Sequence, residues 1–202
     1  MLSIKKPGNG DRVIIVASGP SAEGFSPPQG VPVIAVNGAI DWLSRASYFF
    51  TLDPSPINMR RLRLRRRNVR YCAAGIPATL PGVAEFERLS LRGDEPPVKH
   101  SPEWWLWRWS ARTGLSEDPR FIHNGNSAWG ALGLAHHLGF KNVALVGVDA
   151  TQEARVHSGG KPNNLSHLPL LFKSALSQIN VVSCGKLNSI PQMSFKEWLK
   201  NS

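Results

Sequence analysis

Asn124-Gly-Asn-Ser-Ala-Trp-Gly-Ala-Leu-Gly-Leu-Ala-His-His-Leu-Gly-Phe-Lys-Asn-Val-Ala-Leu-Val-Gly-Val-Asp149 is the stretch that decides the fold. From Asn126 to Leu138, Trp129, Leu132, Ala135 and His136 recur every three or four positions, the period of one helix face. Asn126 or Ser127 can cap the start of this helix, and Gly139 can close it in the left-handed conformation. The run Asn142-Val-Ala-Leu-Val146 follows at once, with no polar residue between Val143 and Val146. Such continuity suits a strand buried on both faces, the signature of a parallel sheet covered by helices.

The same alternation extends outward. Arg12–Ala17, Pro32–Val36, Tyr48–Leu52, Val69–Ala73 and Asn180–Ser183 read as further strands, and Leu165–Gln178 and Ser194–Lys200 as further helices. Strands alternating with helices predict a single α/β, Rossmann-like domain with a mostly parallel sheet flanked by helices. Residues 57–121 are expected to form a divergent, basic and Trp-rich insertion, with Gly93–Arg120 placed where a lid or cap could leave the sheet.

Composition narrows the class. The 202 residues carry 24 Lys plus Arg against 14 Asp plus Glu, a formal charge of +10, so an anionic partner is expected. No apolar run approaches the roughly 20 residues that span a bilayer, and the reading is of a soluble, cytoplasmic protein. Two cysteines, Cys72 and Cys184, are too few for a disulfide framework or a zinc ribbon.

The strand ends carry small polar residues. The first strand runs into Ser18-Gly-Pro-Ser21, the second ends in Val36-Asn37-Gly38, the third in Leu52-Asp53-Pro54, and the 142–146 strand in Gly147-Val148-Asp149. In an open α/β sheet the carboxyl ends of the strands form the ligand crevice. Gly19, Pro20 and Ser21 could bring backbone N–H groups to a phosphate. Asn37 could read a base or ribose, and Asp53 and Asp149 could accept from hydroxyls; helix capping is the plain alternative for each. Asn124, Gly125, Asn126 and Ser127 open the clearest helix, where free N–H groups make a second anion site or a simple cap. Neither G-x-G-x-x-G nor G-x-x-x-x-G-K-[ST] occurs.

Ser18-Gly-Pro-Ser21, Val36-Asn37-Gly38 and the whole 124–149 block together resemble the bacterial family 42 sialyltransferases and the related archaeal-type 6-hydroxymethylpterin diphosphokinase-like proteins. Those proteins show a G-N-G-P-S turn, an asparagine closing the second strand and a [ST]-[SG]-x-x-A-x-x-x-A-x-x-L-G-[FY]-K-x-[IV]-x-L-x-G-x-D block. The tail Cys184–Ile190 and Ser194–Trp198 is similar to that group's closing strand, Ser/Asn-rich turn and final helix. The likeness covers roughly 11–56 and 122–200. It implies a Rossmann-type site for a nucleotide or nucleotide-sugar donor of the CMP type, with no obligatory metal in the sialyltransferase branch. Ser18 stands where the motif has asparagine, and Tyr48 and Tyr71, the two tyrosines of the chain, match neither of the tyrosines that assist the leaving phosphate.

The resemblance also implies a histidine base in a lid after the G-x-D strand, where His157 and His167 fall. An imidazole, with an unperturbed pKa of about 6.5, can take a proton from an acceptor hydroxyl. His157 lies in the lid-like stretch Arg155-Val-His-Ser-Gly-Gly160 and is the favoured candidate; His167 begins a helix, where it could simply cap. His136 and His137 read as structural.

Seven arginines, Arg60, Arg61, Arg63, Arg65, Arg66, Arg67 and Arg70, occur with no acid between Asp53 and Glu85; without them the formal charge would fall from +10 to +3. Alternation across 61–65 looks strand-like, whereas 57–64 could be helical. The cluster, with Trp104 and Trp107 of Trp104-Trp-Leu-Trp-Arg-Trp109, is read as a surface for an anionic acceptor, DNA or a phosphorylated glycan. Core packing, stacking on rings and membrane anchoring all remain readings of the tryptophans, of which at least one should be exposed. The expected function is a nucleotide-sugar glycosyltransferase. The alternatives are a pterin-type diphosphokinase, which would draw metal ligands from Asp53 and Asp149, and a non-catalytic nucleic-acid-binding protein.

Overall fold

The computed structural model describes residues 10–76 and 80–201. Its centre is an eight-stranded, all-parallel sheet in the order β6-β5-β4-β3-β2-β1-β7-β8. The strands are β1 (Arg12–Val16), β2 (Val33–Val36), β3 (Tyr48–Thr51), β4 (Arg70–Ala74), β5 (Val83–Leu89), β6 (Phe121–His123), β7 (Asn142–Val146) and β8 (Asn180–Ser183). The helices are α1 (Ala39–Trp42), α2 (Pro56–Arg63), α3 (Pro102–Arg108), α4 (Ser127–His137), α5 (Leu168–Ser174) and α6 (Phe195–Lys200). The protein is an α/β, Rossmann-like fold.

Side chains alternate across the sheet and build two cores. Val13 and Ile15 of β1 pack with α4 and α5 through Trp129, Leu132, Leu171 and Phe172. Ile14 and Val16 point the other way, to Ile40 of α1, Leu62 of α2 and Trp198 of α6. These four β1 side chains are wholly buried, each burial contributing about 1.5–3 kcal/mol. That is why β1 and β7 read as unbroken apolar runs. Tyr48 and Tyr71 belong to these cores, and Tyr71 Oη accepts from the Arg66 amide at 3.0 Å. Burial pushes the Cys72 thiol up to about 12 and Cys184 to about 11.

Residues 57–121 contribute to the sheet itself. They supply most of α2, all of β4 and β5, and α3, and they end at the first residue of β6. The passage between β5 and β6, which holds α3, lies outside the sheet. β5 was not expected because only Val83 and Ala84 are buried, while Glu85 and Glu87 interrupt its apolar content. Three-residue β6 is too short to show a period. Among the described residues no helix is long and apolar enough to cross a membrane.

The chain leaves β1 toward β2 on one side and returns to β7 on the other, so the strand order reverses between β1 and β7. The carboxyl ends on either side of such a reversal diverge and leave a crevice.

Candidate functional site

A cleft of about 930 Å³ lies along this carboxyl edge. Ser18, Gly19, Pro20, Asn37, Gly38, Asp53, Asn124, Gly125, Asn126, Ser127 and Asp149 all line it, as do His157 and His167. Ser21 does not, and its hydrogen bonds show why.

Ser21 and Asp149 form a knot at the reversal. The Asp149 carboxylate accepts from the Ser21 amide (2.8 Å), the Ser21 hydroxyl (2.7 Å) and the Lys186 amide (2.7 Å), while Ser21 Oγ accepts from the Gly147 amide (3.0 Å). A Cβ on Gly19 would stand 2.5 Å from Asp149 Oδ2, and one on Gly185 would stand 2.2 Å from Ser21 Oγ. Gly147 has φ +67° and packs on the Ala17 carbonyl. Three glycines thus let three loops close around one carboxylate. The Gly19 amide is also spent, on Gly147 O at 2.8 Å. Asp149 is therefore a clamp between loops, with both oxygens engaged, and the amides of Gly19 and Ser21 are not free to cradle a phosphate.

Asp53 is committed as well. It accepts from the Ser55 amide and hydroxyl and from Asn58 Nδ2, each at 2.9 Å, and so turns the chain into α2. Asn124 joins β6 to the α3 excursion through Nδ2 bonds to Trp109 O (2.9 Å) and Ser110 O (3.0 Å). Ser127 Oγ accepts from the Leu52 amide at 3.1 Å, tying β3 to α4. Of the two cap candidates it is Asn126 that caps α4, accepting from the Trp129 amide at 2.8 Å. The first turn of α4 consequently opens on the cleft with Ser127 and Ala128 in its wall, where the unsatisfied N–H groups of a helix start favour an anion.

Among the described residues that line the cleft, two enclosed polar groups lack partners. Asn37 closes β2 in the left-handed conformation (φ +50°), and its Oδ1 is enclosed without a hydrogen bond. His167, the N-cap residue of α5, is 3% exposed and its Nδ1 is likewise enclosed and unpaired. Burial lowers the His167 pKa to about 4, so the ring is neutral at neutral pH. His157 sits differently. It is exposed, has φ +63°, and stacks on Trp42 with ring centroids 4.7 Å apart. The loop holding it docks through the Val156 amide on Ser18 O (2.9 Å), while Trp42 Nε1 donates to Ser18 Oγ (3.3 Å).

The arginine cluster is divided. Residues 56–63 are helical, which sends successive arginines in different directions. Arg61 turns into the cleft wall, ion-paired with Asp41 and donating to Asn58 Oδ1 at 2.7 Å. Arg66 is pinned on the carbonyls of Ile40, Leu43 and Ser44 at the end of α1, and Arg65 on Pro81 O. Arg60, Arg63 and Arg67 are exposed, and none of the three lines the cleft. Trp104 and Trp107 also lie outside it, with Nε1 donating to Glu95 (2.6 Å) and Gly93 O (3.1 Å) respectively. The tryptophan of the 104–109 run that reaches the cleft is Trp109, 38% exposed.

No family model, curated protein or solved structure matches the chain. The site must accordingly be read from its own chemistry. Sequence reasoning missed Trp42, Asn58, Arg88 and Trp109 as cleft residues. Trp42 could have been found, because a large aromatic five positions after the strand-closing Asn37 falls one helical turn above the crevice. The others could not, since each depends on how 57–121 joins the sheet.

Proposed function

We propose that the protein is a nucleotide-dependent transferase, a glycosyltransferase of the sialyltransferase-like kind that moves a sugar from a CMP-type donor to an anionic acceptor. The observation that carries this reading is the pair of enclosed, unpartnered groups, Asn37 Oδ1 and His167 Nδ1, on residues lining one large cleft with the α4 start. Unpaired buried polar atoms are costly, and a polar ligand repays that cost. The donor phosphate would rest against the first turn of α4, and Asn37 would accept from the base or ribose. The Ser18–Ser21 turn would shape the floor and not cradle the phosphate, because the Gly19 and Ser21 amides are engaged.

In the reaction, the acceptor hydroxyl oxygen forms a bond to the anomeric carbon as the bond from that carbon to the donor phosphate oxygen breaks. The electron pair leaves with the phosphate, and the hydroxyl proton passes to a base. His157 fits that role: it is on the lid, exposed, and held in orientation by Trp42. His167, with its pKa near 4, is too weak a base at neutral pH and suits a neutral hydrogen bond to substrate instead.

A thermal-shift panel of CMP, UDP, ADP and short DNA tests the reading. Binding to the folded state raises the melting temperature by mass action, so CMP should stabilise well beyond DNA. DNA binding with no nucleotide shift would favour the non-catalytic alternative. Donor turnover should be lost in His157→Ala; turnover intact in both His157→Ala and His167→Ala would remove the base assignment.

A further inference from the structure

The cleft is longer than a donor site needs. Asp149 follows β7 and Arg88 lies in β5, five strand steps apart, about 24 Å at the usual spacing between strands. A nucleotide-sugar seated over β1, β2 and β7 leaves the β5–β6 end unfilled. Four residues line that end without a role in the site described above: Arg88, Ser90, Trp109 and Ser110.

Trp109 is a prepared platform. Its ring stacks on Trp105 with centroids 6.1 Å apart and planes 20° apart, which fixes the indole from behind. Its carbonyl and that of Ser110 are held by Asn124 Nδ2. Arg88 is anchored by one N–H on Leu52 O at 3.3 Å, and among the described residues no carboxylate pairs with it. Gly75 leaves the space that Arg88 occupies, since a Cβ there would meet the arginine side chain at 2.8 Å.

We propose that this end of the cleft is a second subsite that binds a pyranose carrying a carboxylate or phosphate, with the ring on Trp109, the anionic group on Arg88, and ring hydroxyls within reach of Ser90 and Ser110. A flat indole takes the apolar face of a sugar ring, and a guanidinium fork matches carboxylate or phosphate. Calling this ligand the acceptor rests on the transferase reading; the subsite itself does not. A DNA strand fits less well. The exposed cations Arg60, Arg63 and Arg67 stand outside the cleft, and the arginines that line it, Arg61, Arg88 and Arg155, are interspersed with Asp41, Asp53 and Glu153, so it offers no continuous run of cations to a strand of phosphates.

The test is ligand-observed and indole N–H NMR on the whole chain, titrated with glucose 6-phosphate, glucuronate, glucose and a ten-nucleotide oligo-dT, alongside CMP. Both anionic sugars should move one indole resonance that vanishes in Trp109→Ala, and should bind at least five-fold more tightly than glucose. Arg88→Gln should erase that preference while CMP binding is retained, which guards against a Trp109 variant that merely loosens the α3 excursion. Equal affinity for glucose, no sugar binding, binding indifferent to both substitutions, or displacement of the sugar by oligo-dT would each overturn the proposal. Sugar binding without any nucleotide binding would overturn the transferase reading and leave the subsite standing; nucleotide binding without sugar binding would do the reverse.

Discussion

Removing the Asp149 carboxylate should cost stability first and foremost, because it is a clamp. It is 5% exposed and accepts three hydrogen bonds of 2.7–2.8 Å. Hydrogen bonds to a charged acceptor contribute about 1.5–3 kcal/mol each, and buried N–H groups left bare cost about 1–3 kcal/mol. Water entering from the cleft recovers part of this, so Asp149→Ala should lose about 4 kcal/mol and Asp149→Asn about 2 kcal/mol. For a chain of this size, about 2–4 °C of melting temperature per kcal/mol puts the alanine variant some 8–16 °C below the parent. Thermal and urea unfolding measure the loss, and a double-mutant cycle with Ser21→Ala locates it. Ser21 Oγ bonds to both Asp149 and the Gly147 amide, so the two substitutions should couple by about 1 kcal/mol or more. A fall of under 2 °C for Asp149→Ala, or strictly additive losses, would refute the clamp.

Below pH 6.5 the unfolded His167 takes up a proton that the buried ring, with its pKa near 4, refuses; stability should therefore fall between about pH 6.5 and pH 4, by up to about 3 kcal/mol. His123 and His137 are also lowered, chiefly by burial, so the check is the difference in pH slope between parent and His167→Gln, which should be flatter. Gly147→Ala would place a Cβ 2.3 Å from Ala17 O at φ +67° and should unfold or strongly destabilise the chain, seen as lost cooperative melting. Arg60, Arg63 and Arg67 replaced together by Ser should change stability by less than about 0.5 kcal/mol while reducing the salt dependence of polyanion binding. Arg66→Ala should instead cost about 1–2 kcal/mol, since it strips hydrogen bonds from three carbonyls near the end of α1.

The sheet was legible because its central strands are buried on both faces. Residues 13–16 and 143–146 are unbroken apolar runs for that reason, and α4 shows its cap and its left-handed Gly139. At the β5–β6 edge this signal is lost: β5 has one polar-rich half and β6 three residues. The strand-end residues were readable as a crevice, but their partners were not. Ser21 and Asp149 meet across 128 positions, and nothing periodic in the chain announces that both Asp149 oxygens are engaged. The arginine run looked like one positive surface because sequence counts charges without directions. On a helix and the turn after it, the same residues become a cleft wall at Arg61, carbonyl ligands at Arg65 and Arg66, and exposed cations at Arg60, Arg63 and Arg67.

The central claim is that the cleft at the β1–β2–β7 edge binds a nucleotide against α4 and Asn37. An amide NMR titration with CMP tests it most directly. The amides of Asn37, Gly38, Ser127 and Ala128 should shift together along one binding curve, and Asn37→Ala should weaken that curve about ten-fold, the loss of one buried hydrogen bond. No shift with CMP, UDP or ADP, or shifts that avoid the α4 start, would contradict the account.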